Sequence, residues 1–182
     1  LRKGYDNREI YHIHQYEETP GIVYRYAEVL LNFAEAKAEL GTLSQDDVDR
    51  SIKLLRDRVG MPNLILADIT VDPQWDFPTL SPIINEVRRE RRVELAAEGF
   101  RFADIMRWAA ADELIVGKRP HGFMASQLTV NPYPVDANGF LDPYQKKLPN
   151  GYGFKLNRDY LNAIPKTELL LNSSLVQNPG WN

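Results

Sequence analysis

Apolar residues in the stretch GIVYRYAEVLLNFAEAKAELG, residues 21–41, return every three or four positions, so that Val23, Tyr26, Ala27, Leu30, Leu31, Ala34 and Ala38 share one helical stripe. Arg25, Glu28, Asn32, Glu35 and Glu39 take the other face. Thr19-Pro20 supplies an N-cap and a proline for the first turn, and Gly41 a stop, so the pattern predicts a helix from Pro20 to Leu40. A second stripe, Val48, Ile52, Leu55 and Val59, follows Ser44, which with Asp47 resembles a capping box carrying Asp in place of Glu. Acids at 46, 47 and 49 suit the positive end of that helix, and Arg56 and Arg58 its last turn. Gly60 and Pro62 close it, giving a predicted helix from Gln45 to Val59. Ser81-Pro82 is a further cap with proline and opens a third helix, Pro82 to Glu98, which breaks near Gly99; a shorter one is expected around Phe102 to Ala111.

Outside these stretches the helical period is lost. The first 20 residues mix Tyr5, Tyr11, Tyr16, His12 and His14 with charges and are expected to be extended or irregular. From Ala109 to Ala163 glycine and proline recur, which predicts long loops with short strands. Within them Asn138-Gly139 separates Val135 from Phe140-Leu141, a strong short hairpin signal. The fold class is therefore all-α: helix pairs, a long loop-rich region and a short β-hairpin. Two amphipathic helices joined at Gly41 to Leu43 have the size, alanine content and short turn of one tetratricopeptide-type repeat.

Length and composition set bounds on function. A chain of 182 residues with 43% hydrophobic content suits one globular domain with a real core. Its 22 basic and 25 acidic residues give a net charge of -3, so no global field draws it to nucleic acid or anionic lipid. It contains no cysteine, which rules out disulfides and cysteine metal sites. No apolar run approaches the roughly 18 residues of a membrane span. The chain begins Leu1-Arg2-Lys3 without an initiator methionine, and it is read as a piece of a longer protein.

The stretch RRERRVELAAEGFRFADIMRW, residues 88–108, concentrates charge. Between Asn85 and Trp108, Arg88, Arg89, Arg91, Arg92, Arg101 and Arg107 stand against Glu86, Glu90, Glu94, Glu98 and Asp104. On a helix the four glutamates follow one another at four-residue steps beside a parallel arginine row, so the surface is nearly neutral. A nucleic-acid groove needs uncompensated positive charge. Glycosidase carboxylates face each other across a cleft at about 5–9.5 Å, normally from different elements. Glutamates along a single helix instead suit a network in which planar arginine forks clamp this helix to its neighbours.

Other chemistry is thinly signalled. His12-x-His14 would point two imidazoles one way on a strand, but no spacing ties His121 to them, and they are read as surface histidines. Asp136-x-Asn138-Gly139 places its glycine too early for a calcium loop and lacks the closing glutamate, so it is read as a turn. There is no Gly-x-Ser-x-Gly elbow, and PNGYG is not a phosphate loop. No cofactor and no metal are expected.

Four blocks in order, YRYAEVLLNFAEAKAELG, IKLLRDRVGMP, EVRRERRVELAAEGFRFADIMRW and LNAIPKTELLLNSSLVQNPGW, resemble the C-terminal region of the SusD/RagB family and cover most of the chain. Two departures are Asn172-Ser173-Ser174-Leu175, where members often carry Asn-Pro, and Ala97, where a bulky side chain is frequent. The resemblance implies a single domain, residues 1–182, forming the C-terminal part of a non-enzymatic outer-membrane lipoprotein of Bacteroidetes type, with the N-terminal part absent. It further implies tetratricopeptide-like helix pairs, binding of oligosaccharide or polysaccharide at the cell surface, and partnership with a TonB-dependent, SusC-like transporter. The lipid anchor would lie outside this chain, with much of the ligand site. The alternative is a helical interaction module that docks onto the transporter without a sugar site of its own.

Sugars are held by rings stacked on their C–H faces and by planar polar groups that read the hydroxyls. Trp75, in DPQWDFPTL, and Tyr133 and Tyr144, which flank the expected hairpin, are the candidate ligand-binding residues. Trp108 and Trp181 lie within the family-like blocks and are read as packing residues.

Overall fold

Gly41, at φ 67°, reverses the chain after the first helix. In the computed structural model, which describes residues 8, 9, 13, 22–130 and 132–181, helix α1 (Tyr26–Glu39) is followed by α2 (Gln45–Asp49) and α3 (Ile52–Arg58), then by α4 (Pro82–Glu94). These helices belong to a compact unit of residues 1–96; residues 97–182 form a second.

In the first unit α1 packs chiefly along α4 and also touches α3. Ala34, Ala38, Val48, Ile52, Leu64 and Val87 form its core, with Leu43, Leu66, Ile69, Ile83 and Ile84 packed around them. The small residues Ala34 and Ala38 leave room for the neighbouring helices to approach, and the helix pair of α1 with α2–α3 is tetratricopeptide-like. Both expected caps form. Ser44 Oγ accepts the Asp47 N–H at 3.2 Å while Asp47 Oδ2 accepts the Ser44 N–H at 3.1 Å. Ser81 Oγ accepts the Ile84 N–H, and Pro82 occupies the first turn.

Element boundaries differ from the sequence expectations for identifiable reasons. Thr19-Pro20 lies outside the described residues, but residues 22–25 are not helical and Arg25 is extended. Its guanidinium donates to Glu94 Oε1 at 2.8 Å and to the Glu94 carbonyl at 3.0 Å, which draws the chain away from the helical path. The assigned faces of α1 also need correction: Val23 and Tyr26 are exposed, and Glu35 is buried. The single helix expected from Gln45 to Val59 is broken at Ser51. The Ser51 hydroxyl donates to the Asp47 carbonyl at 2.5 Å, and its backbone leaves helical geometry. Helix α4 stops at Glu94, short of Glu98, and is followed by left-handed backbone at Ala97 (φ 64°) and Gly99 (φ 87°).

In the second unit the helix expected at Phe102 to Ala111 is two, α5 (Phe100–Arg107) and α6 (Ala111–Leu114), separated by Ala109 at φ 51°. A further short helix, α7 (Lys166–Leu171), follows Pro165 and was not signalled by periodicity, because six residues are too few to display it. The expected β-hairpin reduces to a turn. Asp136 N–H donates to the Phe140 carbonyl at 2.8 Å and Gly139 N–H to the Asp136 carbonyl at 3.1 Å. Val135 and Leu141 meet across the turn in a single antiparallel bridge, Leu141 pairs on its other side with Gly122 and Phe123, and only isolated bridges form among the described residues. Pro134 and Pro143, one on each side of the turn, have no N–H with which to extend a ladder.

Candidate functional site

The charged rows of α4 are sorted by direction. Glu90 accepts Arg56 of α3, and Glu94 accepts Arg58 of α3 as well as Arg25. On the side toward α1, Arg88 reaches Glu39 at 3.0 Å, while Arg91 donates to Asn32 Oδ1 at 2.7 Å and lies 3.7 Å from Glu35. The row of acids thus faces arginines, and the row of arginines faces acids. Arg56, Glu86, Arg88 and Arg91 are all buried, so these pairs act as clamps between helices. Nearby, Asn85 is buried and its amide donates to the carbonyls of Phe77, Leu80 and Ser81 while its oxygen accepts the Phe77 N–H. One side chain in the first turn of α4 therefore shapes the whole approach loop. Sequence reading passed it over, because a lone Asn after a cap has no pattern of its own.

Trp75 sits at the far side of that loop, beside the Asp72 turn, where Asp72 Oδ1 accepts the Gln74 N–H at 2.8 Å. The ring is half-buried, and its indole N–H is sealed from solvent with no hydrogen-bond partner. Residues 63–73 run past α3 and α4 and enclose a cleft of about 490 Å³ against Arg56, Glu86 and Arg89. Asn63, Asp68, Thr70 and Asp72 supply its polar wall, Ile65, Val71 and Pro73 its apolar rim. No aromatic ring lines it, and Arg89 is held by Glu86 at 2.5 Å.

Tyr133 and Tyr144 lie in the second unit, so Trp75 is not in the same compact unit as they are. Both tyrosines are exposed, at 52% and 40%, on segments joined where Asp142 N–H donates to the Pro134 carbonyl at 2.7 Å. Asp142 is fully buried and anchors this loop region: its carboxylate takes Arg119 Nε at 2.9 and 3.0 Å, and Arg119 Nη1 goes on to the carbonyls of Leu148 and Pro149. The Arg119 guanidinium holds the Asp142 carboxyl below the usual carboxylate range. The pair is separated by 23 residues of loop, which explains why no spacing rule could find it. The Asp136 carboxylate accepts the N–H groups of Asn138 and Phe140 at 2.9 and 2.8 Å and approaches His121 at 3.4 Å, so it closes a turn. Among the described residues no three His, Asp or Glu side chains are grouped to hold a metal ion. His12 and His14 lie outside the described residues.

The two remaining tryptophans are held by cations and backbone. Arg107 lies over the Trp108 ring at 5.0 Å, and Arg158 over that of Trp181 at 4.5 Å. Trp181 also donates its indole N–H to the Leu161 carbonyl at 2.8 Å.

The SusD family model matches residues 1–181. The chain belongs to the SusD family. SusD-like protein P2 of Formosa agariphila is 33% identical over 158 residues, which are 86% of this chain and 25% of that protein. Among solved structures, that of the protein BT4246 shares 33% identity at a TM-score of 0.63, covering 89% of this chain and 24% of its own. A SusD-like protein from Bacteroides fragilis shares 26% identity at a TM-score of 0.56, covering 87% and 25%. The chain thus spans about a quarter of the length of the relatives it matches. Among the described residues no helix is long and apolar enough to cross a membrane.

Proposed function

We propose that residues 1–182 form the C-terminal domain of a cell-surface, outer-membrane component that binds oligosaccharide or polysaccharide for a TonB-dependent, SusC-like transporter and carries out no catalysis. Attachment to the membrane would be through a lipid anchor outside this chain. The observation that carries this reading is the family match along residues 1–181. Within the domain, Trp75, Tyr133 and Tyr144 are the proposed sugar contacts, supported by the exposure of both tyrosine rings and by the loop position of the tryptophan.

A glycan site needs rings converging from several elements, and the 63–73 cleft has none. Residues 1–182 alone are therefore expected to bind oligosaccharide weakly or not at all where the family-length protein binds it. Calorimetry on both proteins with one glycan panel tests this, and equal affinity would put the sugar site within this quarter of the molecule. Alanine at Tyr133 or Tyr144 should then weaken binding, and an unchanged affinity in the family-length protein would remove those residues from the site. Release of shortened products during the same titration would overturn the non-enzymatic reading. A second reading, a module that docks onto the transporter without touching sugar, draws on the exposure of Phe123 at 73%, Val130 at 78% and Leu170 at 85% in the second unit. Transporter affinity retained by a protein without any glycan affinity would favour it.

A further inference from the structure

Two Asn-Gly dipeptides, Asn138-Gly139 and Asn150-Gly151, lie in the loops of the second unit. Asparagine before glycine is the pairing most open to intramolecular attack, because glycine has no side chain to shield its backbone nitrogen from the neighbouring carboxamide. Both asparagines are exposed. In each dipeptide the glycine N–H is held by a local turn, that of Gly139 on the Asp136 carbonyl at 3.1 Å and that of Gly151 on the Leu148 carbonyl at 3.0 Å. The two sites are thus alike in sequence and local bonding, and their tertiary surroundings separate them.

Ring closure requires the peptide between Asn and Gly to swing until the glycine nitrogen meets the side-chain Cγ. At Gly151 that swing is blocked. Its backbone crosses Gly117 so closely that no Cβ would fit, Val116 bridges to both Gly151 and Tyr152, and the Tyr152 N–H donates to the Lys118 carbonyl at 2.8 Å. At Gly139 the only atom near the place of a Cβ is the flexible end of Met124, at 3.8 Å, so the turn has room to move. We propose that Asn138 is a site of spontaneous deamidation, that the Gly117 crossing protects Asn150, and that isoaspartate at position 138 opens the turn from Pro134 to Asp142.

The Gly139 nitrogen gives its proton to hydroxide and bonds to Asn138 Cγ, the Cγ–Nδ2 bond breaks, and Nδ2 leaves as ammonia with a proton taken from water. Water then opens the cyclic imide at either carbonyl, which leaves aspartate or isoaspartate. Isoaspartate lengthens the main chain by a methylene at the point where the Asp136 carboxylate accepts the Asn138 and Phe140 N–H groups at 2.9 and 2.8 Å and the Asp136 N–H donates to the Phe140 carbonyl at 2.8 Å. The longer chain cannot keep these bonds in register. The loss spreads to residues 122–125, since the Ala125 N–H donates to the Gly139 carbonyl and the Leu141 N–H to the Phe123 carbonyl, each at 2.9 Å.

The two dipeptides control for each other. The native protein, its helical content checked by circular dichroism, is aged at mildly alkaline pH, and a second sample is aged in concentrated urea. Peptide mapping by mass spectrometry then gives separate deamidation rates for the peptides that carry Asn138 and Asn150. In the native protein Asn138 should react at least about five-fold faster than Asn150, and in urea the two rates should converge. Equal rates in the native protein overturn the proposal, as does a faster Asn150. A difference that persists in urea also overturns it, because sequence and not the Gly117 crossing would then set the rates. Limited proteolysis reads the opening of the turn: aged protein should be cut faster within residues 119–149 than fresh protein, and aged Asn138→Gln should not. Asn138 has a negative φ, which glutamine also adopts. Cleavage that ageing leaves unchanged, or that rises equally in Asn138→Gln, would refute the opening of the turn by isoaspartate.

Discussion

Replacing Glu90 by glutamine is a small change in volume and a large change in electrostatics. Arg56 donates from Nε to Glu90 Oε1 at 2.8 Å and from Nη2 to the same oxygen, while Nη1 donates to the Pro62 carbonyl at 3.1 Å. The two side chains are only 9% and 12% exposed, so little water can take the place of the lost carboxylate. Removing one partner of a buried ion pair costs about 3–5 kcal/mol, because the other charge is stranded. Here the loss is moderated: Glu86 Oε2 lies 3.7 Å from Arg56, and a glutamine oxygen can still accept one bond. We therefore expect about 2–3 kcal/mol, the range of one or two hydrogen bonds to a charged group. For a chain of this size each kcal/mol lowers Tm by about 2–4 °C, so Glu90→Gln should melt about 4–12 °C lower. Thermal unfolding followed by circular dichroism reads this directly. A double-mutant cycle with Arg56→Met isolates the pair: removing both charges leaves none stranded, so the double variant should lose less than the sum of the singles, by at least about 1 kcal/mol. Glycan affinity of a family-length protein should not change. A Tm within 1 °C or so of the parent together with lost glycan binding would mean that Glu90 serves a ligand, and the structural reading would fail.

Glu94→Gln should cost less, about 1–2 kcal/mol, because one of its partners, Arg58, is 55% exposed and can return to water; a loss larger than that of Glu90→Gln in the same melts would contradict this ranking. Hydrogen bonds from the Ser44 backbone and hydroxyl lower the Asp47 pKa to about 2. The unfolded chain, with an aspartate near 3.9, then binds more protons between those values, so stability present above about pH 4 is lost as pH falls toward 2. Asp47→Asn should flatten that part of the pH–Tm curve, and an unchanged slope would count against the capping assignment. Gly151→Ala should destabilise by at least about 2 kcal/mol, since φ is +72° and a Cβ would meet the Gly117 carbonyl carbon at 2.3 Å; near-parental denaturant midpoints would show that this crossing is not as close as it is here. Asp142→Asn should loosen the loops from Arg119 to Pro149, read as faster proteolysis in that region with cleavage in residues 22–96 unaffected, and uniform protection would refute the anchoring role.

The helices were legible where a cap and a period coincide. Ser44 and Ser81 each mark a true start, because a side-chain oxygen on an orphan N–H is a local interaction that needs no tertiary partner. The ends were less legible, since Arg25 leaves the helical path for Glu94, 69 residues away, and Ser51 breaks a helix by a bond that helical spacing alone does not announce. The same division applies to the charges. Near neutrality of the 85–108 stretch can be counted; that Glu90 and Glu94 meet α3 while Arg88 and Arg91 meet α1 depends on how three helices pack.

Exposed apolar side chains account for part of what the sequence concealed. Periodicity assigned Tyr26 to the core stripe of α1, whereas the fold leaves it exposed at the first position of the helix. A hydrophobic period reports that a residue tends to burial without saying against what, and Val23 and Tyr26 keep the period of the α1 core stripe yet are exposed. The aromatic candidates meet the opposite difficulty. Tyr133 and Tyr144 are exposed as a sugar contact must be, but they stand on loops whose course is set by Arg119 and Asp142, a pair hidden from any periodic reading. A site assembled by such long-range anchors becomes recognisable only when every element that lines it is present.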